Sequence, residues 1–184
     1  VGASIAPPTV TLVDDPTDGR WPSATPSDAE GPATRRNVLI DAGVVSGFVH
    51  DGYSARALGA RSTGSAVRHG FKSTPGAGTQ SISLLAGDHD PASILAAVGD
   101  GIYISDVQGL HSGVNPVSGD FSTGIEGMVI RGGELAEAVK EVTIASTLQR
   151  MMADISMVGS DLTAMPLDAT GVTLAIADVT LSGS

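Results

Sequence analysis

Gly109-Leu-His-Ser-Gly-Val-Asn-Pro-Val-Ser-Gly-Asp-Phe-Ser122 is a loop too rich in Gly, Asn, Pro and Ser to be a passive spacer. Its glycines can take positive φ, and Pro116 fixes its own φ while biasing Asn115 toward extended backbone, so the segment has a definite form. Phe121–Ile130 then reads as a strand that reaches a turn at Arg131-Gly-Gly133, and a second strand over 138–144 returns from it. A shaped loop opening onto a long pair of strands predicts a sheet built largely from antiparallel neighbours.

Working outward, Gly101–Val107 is a strand, and Asp90–Val98 carries the signals of a helix: Asp90 at the N-cap, Pro91 in the first turn and Gly99 at the stop. Ser81–Ala86 is a further strand. Downstream, Leu148, Met151, Met152, Ile155 and Val158 fall at helical spacing, which predicts a helix from Ser146 to Met157 with that face in the core. In Val172–Leu181 the two-residue apolar phase slips at Asp178, as in a strand that bends there. Toward the N-terminus, Thr9–Val13 is a strand and the proline-rich 14–34 stretch a long loop. Asn37–Ile40 and Val44–Val49 flank Asp41-Ala-Gly43 as a hairpin. Asp51 caps a short helix through Ser54–Leu58, stopped by Gly59, and Arg61–Gln80 has no apolar period and reads as loop.

At 184 residues the chain is sized for one domain, here taken as 1–184. Aromatics are only 3% and glycines number 24, so Val, Ile, Leu, Met and Ala must fill the core between many tight turns. That composition predicts an α+β fold, mainly antiparallel β-sheet with two or three short helices. A net charge of −10 disfavours phosphate backbones, so no nucleic-acid partner is expected. No run approaches eighteen uninterrupted apolar residues and no charged flank precedes an apolar run, so no membrane association is expected. The lack of cysteine fits a reducing compartment, and the expected location is cytoplasmic.

Five stretches, in order, resemble the TldD/PmbA family, the "modulator of DNA gyrase" proteins. They are Asp28–Gly43, Ser54–Gly59 with Ser62–Ala66, the loop Gly109–Ser122 with Gly124–Glu134, Val142–Ala145, and Val158–Leu162. The match is to the C-terminal portion of a longer family member, and the Leu-His-Ser-Gly-Val-Asn-Pro run is similar to the PmbA (TldE) branch. The resemblance implies paired peptidase subunits: a TldD-like catalytic subunit holding zinc, and a TldE/PmbA-like subunit without a metal. In that pairing the present chain shapes a chamber for unfolded peptides and binds no cofactor itself. A family metal site needs His-Glu-x-x-x-His, which these 184 residues lack, and the catalytic branch adds a Cys ligand where Thr163–Thr170 has none. His50, His69, His89 and His111 are too far apart in sequence for any two to share a helical face.

The residues expected to contact peptide or partner are His111, Ser112, Asn115, Asp120 and Ser122 in the loop, with Glu30, Arg35 and Arg36, whose guanidinium groups suit a carboxylate. A nucleophile and base pair of Ser112 and His111, oriented by Asp106 or Asp120, is the sharper alternative. Sequence neighbours diverge too strongly to favour it over a hydrogen-bonded polar loop. Asp88-His-Asp90 reads as a helix cap rather than a metal fragment, and Gly59–Ala66 lacks the Gly-Lys-Ser/Thr end of a phosphate loop. Two other functions fit the same residues: a fragment of a catalytic TldD-like peptidase whose zinc helix lies upstream of Val1, and a stand-alone homodimeric module that binds protein or peptide.

Overall fold

The computed structural model describes residues 1–165 and 169–183. In chain order the first elements are β1 (Leu12–Asp14), β2 (Asn37–Asp41), β3 (Val44–Val45), α1 (Gly52–Ala57), β4 (Ala66–Val67), β5 (Gly76–Ala77) and β6 (Ile82–Leu84). There follow α2 (Pro91–Val98), β7 (Gly101–Gln108), α3 (Leu110–Gly113), β8 (Asp120–Arg131) and β9 (Glu134–Thr147). The last are α4 (Leu148–Ala153), β10 (Ile155–Val158), β11 (Thr163–Met165), β12 (Ala169–Gly171), β13 (Leu174–Ile176) and β14 (Thr180–Ser182). The fold is mostly antiparallel β-sheet, with four short helices among the described residues. None of those helices is long and apolar enough to cross a membrane.

These elements form two compact units. The first comprises Val1–Ser4, Pro8–Ala86 and Leu162–Val172. It holds a six-stranded sheet in the order β11-β12-β6-β1-β2-β3, antiparallel except where β12 runs parallel to β6. At the β2–β3 hairpin, Ala42 and Gly43 take φ of 45° and 80°, as the twist-matched type I′ turn requires. Val10, Val13, Ile40, Ala55 and Ala66 are buried there beside several polar side chains. Asp14, fully buried, accepts the N–H groups of Gln80 and Ser81 at 2.8 Å each, and Ser65 joins Asn37 and Thr63 in a hydrogen-bonded group. Such bonds, rather than apolar periodicity, order the 61–80 stretch. Within it β4 and β5 form a two-residue ladder that the sequence does not announce.

The second unit comprises Ile5–Pro7, Gly87–Asp161 and Thr173–Ser184. Its main sheet runs β14-β9-β8-β7, and β10 pairs with β13 separately. Along β8 the buried residues alternate as Phe121, Thr123, Ile125 and Gly127, then step to Ile130 where a bulge shifts the register after Met128. Phe121, Ile125 and Ile144 form the heart of this unit, with Val107, Val114 and Met151 packed against them. Helix α2 has the expected ends, with Asp90 accepting from Ala92 and Ser93 N–H and Gly99 at φ 68°. The bend anticipated at Asp178 is real, with φ 52° at that residue, and it divides the segment between two sheets.

The second hairpin strand, expected over Val44–Val49, is only Val44–Val45, and a helix expectation also fails. The helix expected over Ser146–Met157 spans only Leu148–Ala153, and Ile155–Val158 continues as strand β10. The same apolar spacing serves both forms over so short a run. Antiparallel pairing with β13, which buries Ile155 and Val158, decides it.

Candidate functional site

The loop after β7 is as shaped as its composition requires. Gly109 takes a left-handed conformation at φ 73°, and α3 follows as a single turn. Asn115 then turns the chain back. Its side-chain oxygen accepts the N–H groups of Val117 (2.9 Å) and Ser118 (3.2 Å), its own N–H donates to the Asp120 carbonyl, and its carbonyl accepts from Gly119. Gly119 sits at φ 82°, where a Cβ would be strained. A bridge between Val114 and Phe121 closes the base onto β8, and Gly113 lies so near the Ser122 carbonyl that only glycine fits.

The result is an open depression of about 700 Å³ lined by Ser112, Asn115, Pro116, Asp120 and Ser122 from the loop and by Ser146 from β9. Ser146 reaches it because it is paired with Phe121 across the sheet. No local signal in the sequence reports that pairing. His111 belongs to the same loop, exposed on α3, but does not line the depression. The Ser112 hydroxyl donates to the Gly109 carbonyl at 3.2 Å and the Asp120 carboxylate accepts from the Ser118 hydroxyl at 2.6 Å. Both side chains are therefore engaged in holding the turn. This leaves a hydrogen-bonding surface rather than a charge-relay arrangement.

Strand β7 leads into this loop and pairs with β8 alone, so its other edge is free within the sheet. Tyr103, Ile104, Ser105 and Asp106 are all exposed, with a bulge between Ile104 and Asp106. A free edge of eight residues presents unpaired backbone donors and acceptors to an extended chain. Sequence reading identified the strand but not its position at the edge, which depends on which strands pair.

Glu30, Arg35 and Arg36 lie in the first unit. Glu30 accepts the Gly52 N–H at 2.7 Å and lines a second open depression, of about 580 Å³, with Asp51, Tyr53 and Thr74–Ala77. Asp51 caps α1 and is held below the usual carboxylate range by hydrogen bonds from the Ser54 hydroxyl and N–H. Arg36 faces Asp15 at 3.6 Å, whereas the Arg35 side chain is exposed.

Neither set of residues fits a metal. Among the described residues no three His, Cys, Asp or Glu side chains converge to hold an ion. Asp90 of Asp88-His-Asp90 is committed to its helix cap, and the backbone of His89 pairs with Gly159. Of the Thr163–Thr170 stretch, where the resemblance implies a ligand in the catalytic branch, 166–168 lie outside the described residues.

A family model for the PmbA/TldA metallopeptidase C-terminal domain matches residues 1–183. Metalloprotease PmbA of Escherichia coli O157:H7 is 33% identical over 162 residues, covering 88% of this chain and 33% of the relative. A metalloprotease TldD homolog of Buchnera aphidicola is 28% identical over the same shares. In structure, TldE from Thermococcus kodakarensis superposes with a TM-score of 0.92 at 30% identity, covering all of this chain and 42% of that one. A proposed modulator of a DNA gyrase from Thermotoga maritima gives 0.91 at 26% identity, over 99% and 41%. The chain thus spans about a third of the length of the curated relatives it matches.

Proposed function

The chain belongs to the PmbA/TldD metallopeptidase family, and on that premise we propose that it acts as the non-catalytic, TldE/PmbA-like subunit of a heterodimeric zinc peptidase. Its partner is a TldD-like subunit, its substrates are unfolded peptides and its compartment is the cytoplasm. The observation that carries this reading is the run of β7, with its free edge, directly into the depression built by Gly109–Ser122. An extended peptide adding to that edge is held through its backbone, which makes recognition tolerant of sequence. The peptide then meets the hydroxyl and amide groups of Ser112, Asn115 and Ser122. Glu30, Arg35 and Arg36 provide a second contact set for peptide or partner.

In this reading the metal and its hydrolytic chemistry belong to the partner, and the residues of this chain bind and orient. The likeness to TldE and the sequence without cysteine both support that assignment of roles. Co-expression with a TldD-like subunit, co-purification, and zinc quantitation on each separated chain test it. The expected result is a stable pair with zinc on the partner alone. Chelator-sensitive cleavage of an unfolded peptide by this chain without any companion would overturn it.

A further inference from the structure

Charge is divided unevenly along the sequence. Between residues 31 and 80 lie six of the ten Lys and Arg residues but only two of the twenty carboxylates, Asp41 and Asp51, so the remainder holds four cations against eighteen carboxylates. The six cations are Arg35, Arg36, Arg56, Arg61, Arg68 and Lys72, all exposed and all in the first unit. Hydrogen bonds draw their segments together. The Ala29 N–H donates to the Ala66 carbonyl, the Thr63 N–H to the His50 carbonyl, and the Asn37 amide to Ser65. The depression lined by Tyr53 of α1 and by Thr74–Ala77 lies between α1 and the β4–β5 ribbon, so the helix bearing Arg56 adjoins the ribbon bearing Arg68 and Lys72.

The neighbouring carboxylates are already engaged. Asp51 caps α1, Glu30 accepts from Gly52, Asp28 accepts from the Glu30 and Ala66 N–H groups, and Asp15 faces Arg36. Asp41 stands apart at the β2–β3 turn. Arg35, Arg56, Arg61 and Arg68 have no carboxylate within ion-pair distance among the described residues. The same unit exposes two rings, Phe48 at 62% and Phe71 at 86% accessibility, and Lys72 lies over the Phe71 ring at 5.4 Å.

We propose that this surface is a docking site for short acidic segments of polypeptide. Charge complementarity selects the sign of the ligand, because guanidinium groups with no carboxylate in ion-pair contact can pair with one through two parallel hydrogen bonds. The exposed rings add apolar contact of the kind a peptide backbone and side chains supply. Net charge selects polypeptide over nucleic acid: at −10 the chain as a whole repels a phosphate backbone, whereas a short segment with a few carboxylates carries too little charge for that repulsion to dominate. The inference goes beyond the peptidase reading and stands without a partner or a metal, since it concerns binding by this chain alone.

The test is fluorescence anisotropy with a labelled peptide alternating Glu and Gly, against its Gln counterpart and a labelled single-stranded oligonucleotide. The Glu peptide is expected to bind at least about tenfold more tightly than the Gln peptide, and to weaken about tenfold as salt rises from about 50 to about 200 mM. The double variant R61E/R68E, folded by circular dichroism, should lose about tenfold in affinity, whereas K140E in the second unit should not. Equal binding of the Glu and Gln peptides, insensitivity to salt, or unchanged affinity in R61E/R68E would each overturn the proposal. Tighter binding of the oligonucleotide would overturn it in favour of a nucleic-acid surface.

Discussion

The side-chain oxygen of Asn115 holds the backbone N–H of Val117 at 2.9 Å, closing a local turn that sets the rim of the depression beside β8. Asn115→Ala removes that acceptor, and with it the bond from Ser118. The expected loss of stability is about 1 kcal/mol, because both donors are exposed enough for water to replace the amide. The expected loss of function is larger. If the loop meets peptide as proposed, kcat/KM of the reconstituted pair should fall about tenfold, since its groups would be displaced by a fraction of an ångström. His111→Ala, whose side chain stands on the same loop, should lower turnover while the lone subunit keeps its melting temperature. Unchanged turnover in both variants would remove the loop from substrate handling.

Gly127 of β8 approaches β7 so closely that a Cβ there would fall on the Tyr103 carbonyl oxygen and lie 3.2 Å from the Ile104 Cα. Backbone, unlike the end of a flexible side chain, has little room to give. Gly127→Ala should therefore destabilise the protein by about 1–3 kcal/mol and loosen the β7–β8 ladder first. Urea unfolding measures the first effect, and hydrogen exchange at the β7 amides measures the second. If β7 guides peptides, KM should rise more than kcat falls.

The caps of α1 and α2 predict how stability responds to acid. Backbone and hydroxyl hydrogen bonds from Ser93 hold the Asp90 carboxyl below its ordinary value of 3.8, and those from Ser54 do the same for Asp51. A carboxyl with a depressed native pKa contributes stability that is complete above the unfolded value. That contribution is lost as pH falls below 3.8 through the native value. Melting temperature should thus be flat in this respect near neutrality and decline in acid. Asp90→Asn keeps an N-cap acceptor and should flatten part of the acid limb, whereas Asp90→Ala should lower the melting temperature at every pH.

How legible these features were depended on whether the deciding contacts were local. Helix α2 was readable because cap, proline and stop all lie within ten residues of one another, and the break at Asp178 was readable because the phase of the side chains changes there. The shape of Gly109–Ser122 followed from its glycines and Pro116. Its depression did not, since Ser146 arrives through the pairing of β8 with β9. Strand β10 was concealed for a related reason: Leu148–Val158 satisfies a helical period, and only the distant strand β13 shows where the helix must stop. The engagement of Glu30 with Gly52 likewise joins segments twenty-two residues apart, with no pattern in either to announce it.

Beneath the depression, Ile125 is 2% exposed and packs with Phe121 and Ile144, so the site rests on a small apolar cluster rather than on a broad core. Few aromatic side chains are available to fill a void there. Ile125→Ala should consequently cost about 2–5 kcal/mol, and Ile125→Val about 0.5–1.5 kcal/mol, as transfer and cavity contributions scale with the methyl groups removed. Phe121 bridges directly to Val114 in the loop, so loss of its packing partner should propagate to the rim. Denaturant unfolding followed by circular dichroism gives the ranking. Amide exchange at Val114 and Asn115 should accelerate in Ile125→Ala and remain near wild type in Ile125→Val. An exchange rate unchanged in both would mean that the loop keeps its form independently of the cluster below it.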